Sequence, residues 1–434
     1  MASYDRGMGG AGDRTPALRL GAATVGAVEP VVWAVDAAAP GSRWTVRAEA
    51  RVGESVWESS AEFVADAAGA IDPARQAPVA GSYEGVDPAG LLWSMLPRAG
   101  DYENMPGRSL APIDVTFVLA RDGVGVARAG CRREILGRDI LRRAVDEPGL
   151  VGTLFAPHDD RPHPAVIFLG GSEGGLIESF AAALAGEGFT ALALAYFGMP
   201  GLPAQLSRIP LEYFGSALRW MQRQPEVDAA RIAVGGASKG GEAAVLVGAT
   251  FPDIAAVVGV VPSGVAFMSI GRTPLGLRRS SWSLDGRDVP FVPARLSRPV
   301  LRQVVARSPV RLRVFYEEAM KNTAAVDAAT IPVERIKGPV LLLSGQDDQM
   351  WPSSVLADIA ERRLQSHRHP WPHEHVSYPD TGHALGLPFM PACTEIPHAI
   401  AGRSLTFGGT RAGTAAAAVA AWATACAFLR ESLS

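Results

Sequence analysis

Two short stretches of the sequence could each present a serine nucleophile. The pattern G-x-S-x-G occurs around Ser172, in FLGGSEGGL, and around Ser238, in VGGASKGGEA. In this pattern a sharp turn from a strand into a helix exposes the serine hydroxyl. The pattern is loose and the chain is rich in glycine, so the choice between the two serines depends on partner residues and on the elements around each one.

A serine hydroxyl becomes nucleophilic when a histidine removes its proton, and a carboxylate orients that histidine. The stretch LLLSGQDDQMWP offers Asp347 and Asp348, and YPDTGHALGLP offers His383. Asp348 is favoured over Asp347 because it lies three residues after Gly345. The chain order serine, acid, histidine is the one found in α/β-hydrolases. The predicted catalytic residues are therefore Ser238, Asp348 and His383.

Four other histidines raise the alternative of a metal site. They lie in the segment HRHPWPHEH and are His367, His369, His373 and His375. The segment has the composition of a loop, and its spacing does not match that of a structural or catalytic zinc site. We expect no metal and no bound cofactor.

Composition and charge narrow the class of protein. The net charge is −3 and the sequence has no basic run, which argues against a nucleic-acid partner. Three cysteines, an odd number and widely spaced, favour a reducing compartment without a disulfide framework. The first residues lack the apolar core of a signal peptide, and the tract 414–429 is short for a membrane span, so we expect a packed helix there. These features predict a cytoplasmic protein with no membrane partner.

The N-terminal part of the chain has the pattern of short strands. In RWTVRAEARV and PIDVTFVLARDG, apolar and polar residues alternate, so one face of each strand is buried and the other is solvated. Several such strands without intervening helices predict an immunoglobulin-like β-sandwich domain over residues 14–145. A flexible tail over residues 1–13 precedes it.

The second part of the chain has a different pattern, with near-continuous apolar runs between helical segments. The runs are PAVIFLG, TALALAY, RIAVGG, IAAVVGVV, PVLLLSG and EHVSYPD. Continuous runs indicate strands that are covered on both faces, as in a parallel sheet flanked by helices. We predict an α/β-hydrolase domain over residues 146–434. The long interval 262–337 between two strands predicts a cap over the pocket.

Counting strands decides between the two serines. In the eight-stranded hydrolase plan the nucleophile follows strand five, the acid strand seven and the histidine strand eight. If EHVSYPD is strand eight, RIAVGG is strand five, and Ser238 lies at the elbow. PAVIFLG is then strand three, whose following loop donates N–H groups to the oxyanion. The predicted oxyanion donors are the backbone N–H groups of Lys239 and of Ser172 or Glu173.

The sequence resembles the family of type I acyl-CoA thioesterases and bile acid-CoA:amino acid N-acyltransferases. The resemblance begins at about residue 17 and runs to the C-terminus. It depends on GLLWSMLP, GTLFAP, GGSEGGLIESFAAALAGEGF, ALAYF, LEYFGSALRWM, SKGGE, IPVERIKGPVLLLSGQDDQMW and YPDTGHALGLPFMPAC. It implies an N-terminal β-sandwich followed by an α/β-hydrolase domain. The implied substrates are coenzyme A thioesters of fatty or otherwise bulky acids, with coenzyme A as part of the substrate.

Carried over residue by residue, the family's triad falls on Ser238, Asp348 and His383. Family members that conjugate acyl groups to glycine or taurine resemble one another in having cysteine at the nucleophile position, so Ser238 favours hydrolysis. Glu173 departs from the glycine-like residue of many animal members. The resemblance also implies that the cap segment shapes the acyl pocket.

Two alternatives to hydrolysis stay open at this point. The first is acyl transfer to an amine or alcohol, or cyclisation, with the same triad; the high alanine and glycine content indicates a bacterial source, in which an acyl-carrier protein could be the donor. The second is a non-catalytic binding module. Coenzyme A phosphates favour arginine, and the candidates in the cap are Arg272, Arg278, Arg279 and Arg287, each of which could equally be a solvated lid residue. The acyl chain length and the oligomeric state are left open.

Overall fold

The computed structural model describes residues 15–98, 100, 102, 104–271, 278–306, 309–400 and 402–434, with the side chain of residue 398 left out. The tail predicted over residues 1–13 lies outside the described residues, and so does Arg272. Two β-rich layers come first in the chain, and an α/β unit follows them.

The N-terminal region consists of strands with alternating burial. In β4 and β5, apolar side chains at every second position are buried, as the sequence pattern predicted. The described elements are β1 (Ala17–Leu20), β2 (Thr24–Gly26), β3 (Trp33–Asp36), β4 (Arg43–Val52), β5 (Ser55–Val64), β6 (Ala80–Gly81), α1 (Gly90–Trp93), β7 (Leu96–Pro97), β8 (Ile113–Arg121) and β9 (Val124–Glu134).

These strands form two sheets that share one core. One sheet has the order β2-β9-β8-β4-β5-β6, with β7 also paired to β5, and the other contains β1 and β3. The Trp33 ring of the small sheet lies 5.7 Å from the Phe63 ring and 6.1 Å from the Phe117 ring of the large one. The N-terminal region is therefore sheet-rich, with the small sheet packed against the large sheet.

The remaining strands are β10 (Ile140–Ala144), β11 (Val151–Pro157), β12 (His163–Leu169), β13 (Thr190–Ala195), β14 (Ile209–Pro210), β15 (Val227–Ala237), β16 (Ala256–Val260), β17 (Trp282–Leu284), β18 (Arg287–Asp288), β19 (Val340–Gly345), β20 (His373–Tyr378), β21 (Glu395–Ile400) and β22 (Arg403–Thr406). The helices are α2 (Glu178–Gly186), α3 (Leu211–Met221), α4 (Lys239–Thr250), α5 (Arg298–Val305), α6 (Arg313–Met320), α7 (Thr323–Ala329), α8 (Ser353–Ser366) and α9 (Arg411–Ser432), with a 3₁₀ turn at Val333–Arg335.

Eight of these strands form one sheet in the order β10-β11-β13-β12-β15-β16-β19-β20. Only β11 runs antiparallel to its neighbours; all the other pairs are parallel. Numbered along the sheet's own strands, the order is 1-2-4-3-5-6-7-8, which is the α/β-hydrolase arrangement. This confirms the predicted fold class, and β15 is strand five.

The first strand of this sheet begins earlier than the predicted domain boundary. Residues 140–144, which the sequence pattern grouped with the N-terminal domain, form β10 and pair with β11. Their burial alternates between half-buried and exposed, because β10 is the edge strand of the sheet. An alternating edge strand has the same pattern as the strands before it, so the pattern could not separate the two units.

The segment predicted as a cap, 262–337, contains β17, β18, α5, α6 and α7 in its described part. Part of it is core: Phe267 and Trp282 are fully buried, and β17 pairs with β14. The segment therefore adds a second layer above the carboxyl ends of the strands instead of a simple exposed loop.

The C-terminal helix α9 is longer than the apolar tract from which it was expected. By length and composition alone it could cross a membrane, and it is the one such helix among the described residues. In the structure one face packs on the protein: Ala418, Ala421 and Leu429 are buried, and the Trp422 ring lies 6.4 Å from that of Phe180.

Candidate active site

Ser238 lies at a strained turn between β15 and α4. Its backbone has φ 58° and ψ −121°, a conformation that costs free energy in a non-glycine residue and is typical of functional turns. The flanking glycines make the turn possible. A Cβ atom at position 236 would lie 2.2 Å from the Gly240 carbonyl oxygen, and one at position 240 would lie 2.1 Å from the Leu169 carbonyl oxygen. The G-x-S-x-G pattern around Ser238 is thus a steric requirement.

The three predicted catalytic residues form one chain of hydrogen bonds. His383 Nε2 lies 2.8 Å from Ser238 Oγ, and His383 Nδ1 lies 2.7 Å from Asp348 Oδ2. Asp348 is fully buried, and its other carboxylate oxygen accepts the backbone N–H groups of Met350 and Trp351. The carboxylate is therefore fixed in position and faces the imidazole, which is the arrangement a serine nucleophile needs.

The neighbouring carboxylate, Asp347, has other partners. Its Oδ1 accepts from the Gln349 side chain at 2.7 Å, and its Oδ2 accepts the Gly409 N–H at 2.9 Å. The alternative acid that the sequence left open is thus directed away from the histidine.

His383 is held in the loop after β20 by backbone and ring contacts. Its N–H donates to the Phe407 carbonyl oxygen at 2.9 Å, and the Phe407 ring stacks at 6.4 Å from the imidazole. The centre of the Trp351 ring lies 6.1 Å from the centre of the imidazole, and the two rings pack edge to face. These contacts restrict the imidazole to the orientation that links Asp348 with Ser238.

The loop that contains the second G-x-S-x-G pattern lies beside Ser238. A Cβ atom on Gly171 would be 3.3 Å from the Ser238 Cβ, so this loop passes the nucleophile closely. Tyr196 fixes the loop by donating its hydroxyl to the Gly170 carbonyl oxygen at 2.6 Å. Burial raises the pKa of Tyr196 well above its usual value, so this donor stays protonated. Ser172 and Glu173 follow directly in the loop.

Lys239 is the first residue of α4, so its backbone N–H has no acceptor within the helix. This N–H group lies in the same turn that exposes Ser238. Together, Lys239 and the 171–173 loop flank the nucleophile from two sides. This arrangement is the one that the predicted oxyanion donors require.

The sequence did not predict the role of the Lys239 side chain. It is buried and forms an ion pair with Glu242, with Nζ–O distances of 2.9 and 3.0 Å. Nζ also donates to Ser281 Oγ at 3.1 Å, and Glu242 Oε1 accepts from Trp282 Nε1 at 2.7 Å. Burial lowers the pKa of Lys239 and raises that of Glu242, and their mutual attraction opposes both shifts. The i,i+3 spacing in SKGGE was the available signal.

The histidine-rich segment does not converge on one point. His373 Nδ1 lies 2.9 Å from Glu361, His375 Nδ1 lies 2.7 Å from Asp358, and His369 Nε2 lies 3.1 Å from a backbone oxygen. Within the described ranges there is no group of three or more His, Cys, Asp or Glu side chains that could hold a metal ion.

Three of the four cap arginines can be placed. Arg278, Arg279 and Arg287 are exposed, and an Arg279 Nη1 atom lies 4.0 Å from Asp288. Asp288 is also the partner of Arg208.

Comparison with known proteins covers both parts of the chain. The family described as "BAAT / Acyl-CoA thioester hydrolase C terminal" matches residues 209–434, and "Acyl-CoA thioester hydrolase/BAAT N-terminal region" matches residues 28–147. The chain is 32% identical over 411 residues to acyl-coenzyme A thioesterase 2, mitochondrial, of Mus musculus, covering 93% of this chain and 86% of that protein. It is 30% identical over 403 residues to the peroxisomal succinyl-coenzyme A thioesterase of the same species, covering 91% of each.

Among solved structures, a putative dienelactone hydrolase from Klebsiella pneumoniae aligns with a TM-score of 0.36 and 18% identity, over 57% of this chain and 87% of that one.

Proposed function

The chain belongs to the BAAT/acyl-CoA thioester hydrolase family, and we propose on that premise that it hydrolyses acyl-CoA thioesters through an acyl-enzyme on Ser238. The observation that carries the proposal is the unbroken hydrogen-bond chain from Ser238 Oγ through His383 to the buried Asp348. That chain provides a nucleophile, a base and an acid in hydrogen-bond contact, as acyl transfer to serine requires.

The first half of the proposed reaction forms the acyl-enzyme. His383 Nε2 takes the Ser238 proton as Oγ attacks the thioester carbonyl carbon. Negative charge develops on the carbonyl oxygen, where the N–H groups of Lys239 and of Ser172 or Glu173 would receive it. The carbon–sulfur bond then breaks, and the coenzyme A thiolate leaves with the proton from His383. Asp348 stabilises the charged imidazole throughout.

The second half releases the acid. A water molecule loses a proton to His383 and attacks the acyl carbonyl, and Ser238 leaves with that proton. An amine or alcohol held in the position of the water would give acyl transfer instead. Because the same triad serves both outcomes, the acceptor has to be measured, and acyl transfer remains the second candidate.

The proposed experiment is product analysis by LC–MS. The protein is incubated with short-, medium- and long-chain acyl-CoAs, with and without glycine or taurine. We expect free acid and free coenzyme A in equal amounts under every condition. An amide that appears only with added amine would show that the protein is an acyltransferase. Turnover of carrier-protein thioesters, without turnover of acyl-CoAs, would show that the acyl donor is a carrier protein.

The two G-x-S-x-G serines provide a matched pair of variants. Ser238→Ala removes the proposed nucleophile, and we expect kcat to fall by about 10⁴-fold or more. Ser172→Ala removes the other hydroxyl and keeps the backbone N–H, so we expect a loss of about tenfold at most. The reverse ranking of the two variants would overturn the assignment of Ser238.

We also propose that the reaction takes place in the cytoplasm. The three cysteines, Cys131, Cys393 and Cys426, are free and buried, which suits a reducing compartment. Cell fractionation with an antibody against the chain tests this, and recovery in the membrane or periplasmic fraction would contradict it.

A further inference from the structure

The loop that follows the proposed base, residues 384–394, contacts the N-terminal region of the chain. We call it the histidine loop. The Phe389 carbonyl oxygen accepts from Arg133 Nη1 at 2.7 Å, and the Ala392 N–H donates to the Trp93 carbonyl oxygen at 2.9 Å. Arg133 belongs to β9 and Trp93 to α1. The second half of the loop is therefore fastened to a part of the chain that contributes no residue to the triad.

The histidine loop also contacts His383 from both of its ends. At the start of the loop, the Leu385 N–H donates to the His383 carbonyl oxygen at 3.0 Å. At its end, the Thr394 carbonyl oxygen accepts the Phe407 N–H at 2.7 Å. Phe407 in turn accepts the His383 N–H and stacks its ring on the imidazole. A shift of the loop would thus reach the imidazole by two routes.

The Arg133 side chain is buried, with 2% of its surface exposed. Its guanidinium group bridges two backbone carbonyl oxygens, since Nη1 donates to Phe389 and Nη2 donates to Ala27. Nη1 also lies 3.5 Å from Met390 Sδ. Burial lowers the pKa of Arg133 to about 10, so the group stays charged at neutral pH. Among the described residues it has no carboxylate partner, and its Nε has no hydrogen-bond acceptor.

A buried charge without a counter-charge is unfavourable for stability. The contacts of Arg133 therefore need an explanation other than the free energy of folding. The guanidinium group is a rigid, planar fork of donors, and it fixes the positions of the acceptors that it binds. In this protein it fixes the carbonyl group of Phe389 relative to that of Ala27.

The backbone of Phe389 needs such a support. Its φ is 57°, in the left-handed region that bulky residues rarely adopt. A conformation of this kind persists only where the surrounding structure holds it in place. The carbonyl group that Arg133 binds belongs to this strained residue. Without Arg133, residue 389 could relax and the histidine loop could change its path.

We propose that Arg133 is a positioning residue for the reaction, and that it keeps His383 in line between Asp348 and Ser238 by fixing the histidine loop. The inference rests on the proposed function, in which His383 is the base. The hydrogen bonds of Arg133 reach the loop and not the triad, so Arg133 acts through the loop. The N-terminal region thereby contributes to catalysis through a residue that takes no part in the chemical steps.

The variant Arg133→Met tests the proposal, because methionine removes the charge and all the donors. The readout is the rate at which an alkyl fluorophosphonate labels Ser238, measured by intact-mass spectrometry. In this reaction Ser238 Oγ forms a bond to phosphorus, fluoride leaves, and His383 accepts the serine proton. We expect the rate to fall roughly 10- to 100-fold at a temperature where circular dichroism shows a folded variant. An unchanged rate in the folded variant would overturn the proposal.

Two variants serve as matched controls. Arg132, the next residue of β9, is exposed and pairs with Asp114 at 3.2 Å, so Arg132→Met should label at the rate of the unaltered protein. Phe117 is fully buried in the core of the same N-terminal region. Phe117→Leu should lower the thermal midpoint and leave the labelling rate of the folded protein unchanged. A loss of rate in Phe117→Leu as large as that in Arg133→Met would assign the effect to stability alone.

The variant Arg133→Lys keeps the test decisive if Arg133→Met does not fold. Lysine retains the buried charge, but its ammonium group lacks the rigid fork that holds two carbonyl groups at fixed positions. We expect a loss of labelling rate of about threefold or more, between the unaltered protein and Arg133→Met. In acyl-CoA hydrolysis kcat should fall by the same factor, with KM nearly unchanged. Labelling of Arg133→Lys at the unaltered rate would contradict the proposal.

Fluorophosphonate labelling also separates this proposal from the proposed function, because it involves no coenzyme A. If the unaltered protein is labelled but hydrolyses no acyl-CoA, the proposed function fails and the comparison of the arginine variants still decides the role of Arg133. If the unaltered protein is not labelled at all, Ser238 is not activated by His383, and both proposals are overturned.

Discussion

Lys239 and Glu242 form a fully buried ion pair in the first turn of the helix that follows the nucleophile. Nζ lies 2.9 and 3.0 Å from the two carboxylate oxygens. The Phe267 N–H and the Trp282 indole also donate to the carboxylate, at 3.2 and 2.7 Å. Since both donors belong to the segment between β16 and β19, the pair connects the helix of the elbow to the layer above it.

Breaking this pair should destabilise the protein strongly. In Glu242→Gln the ammonium group of Lys239 stays buried without a counter-charge, which typically costs about 3–5 kcal/mol. The double variant Lys239→Met/Glu242→Leu buries no charge at all, so we expect it to be more stable than Glu242→Gln. Urea unfolding measures both. A double variant that is less stable than Glu242→Gln would show that the buried charge of Lys239 is not what makes the single variant unstable.

The elbow glycines should tolerate no side chain. In Gly240→Ala the new Cβ would lie 2.1 Å from the Leu169 oxygen and 2.3 Å from the Gly170 oxygen, both of which are backbone atoms. We expect a loss of several kcal/mol in the free energy of unfolding, visible in the thermal midpoint, together with loss of turnover. The control is Gly186→Ala, where space is free and the helix should gain about 0.5–1 kcal/mol. Equal midpoints for the two variants would contradict the steric explanation.

The central sheet could be predicted because its signal is local. Runs such as TALALAY and PVLLLSG are strands buried on both faces, so their residues are apolar without alternation. The order of the runs then placed Ser238 after β15 and Ser172 after β12, as the sheet has them. The edge strand β10 lacked that signal, because one of its sides faces solvent.

Contacts between distant segments could not be predicted in the same way. Glu242 and Trp282 are 40 residues apart, and their contact depends on how the segment after β16 folds over α4.

The ion pair between Glu334 and Arg363 should make stability depend on pH. The two side chains share hydrogen bonds of 2.6 and 2.7 Å, and Arg363 lowers the pKa of Glu334 to about 2. The unfolded value is about 4.3. Because the folded pKa is the lower one, the stabilisation is complete above about pH 4.5 and is lost as the pH falls towards 2.

We therefore expect Glu334→Gln to lower the free energy of unfolding by about 1 kcal/mol at pH 7, since part of the pair is open to solvent. The difference from the unaltered protein should be less than half as large near pH 3. Urea unfolding at pH 7, 4.5 and 3 measures it, with the exposed Glu431→Gln as the control. A difference that stays constant with pH would assign the effect to packing.

The two adjacent carboxylates allow a sharp test of the acid. Asp348→Asn keeps the size of the side chain but presents an amide to His383 Nδ1, which favours the wrong tautomer of the imidazole, and kcat should fall by about 10⁴-fold. Asp347→Asn changes a side chain whose partners are Gln349 and Gly409, and we expect a change of about threefold or less. The measurement is kcat for acyl-CoA hydrolysis, with circular dichroism spectra to compare the folds. Because the two residues are neighbours in one turn, a general disturbance of that turn would affect both variants, whereas loss of the carboxylate that faces the histidine affects Asp348→Asn alone.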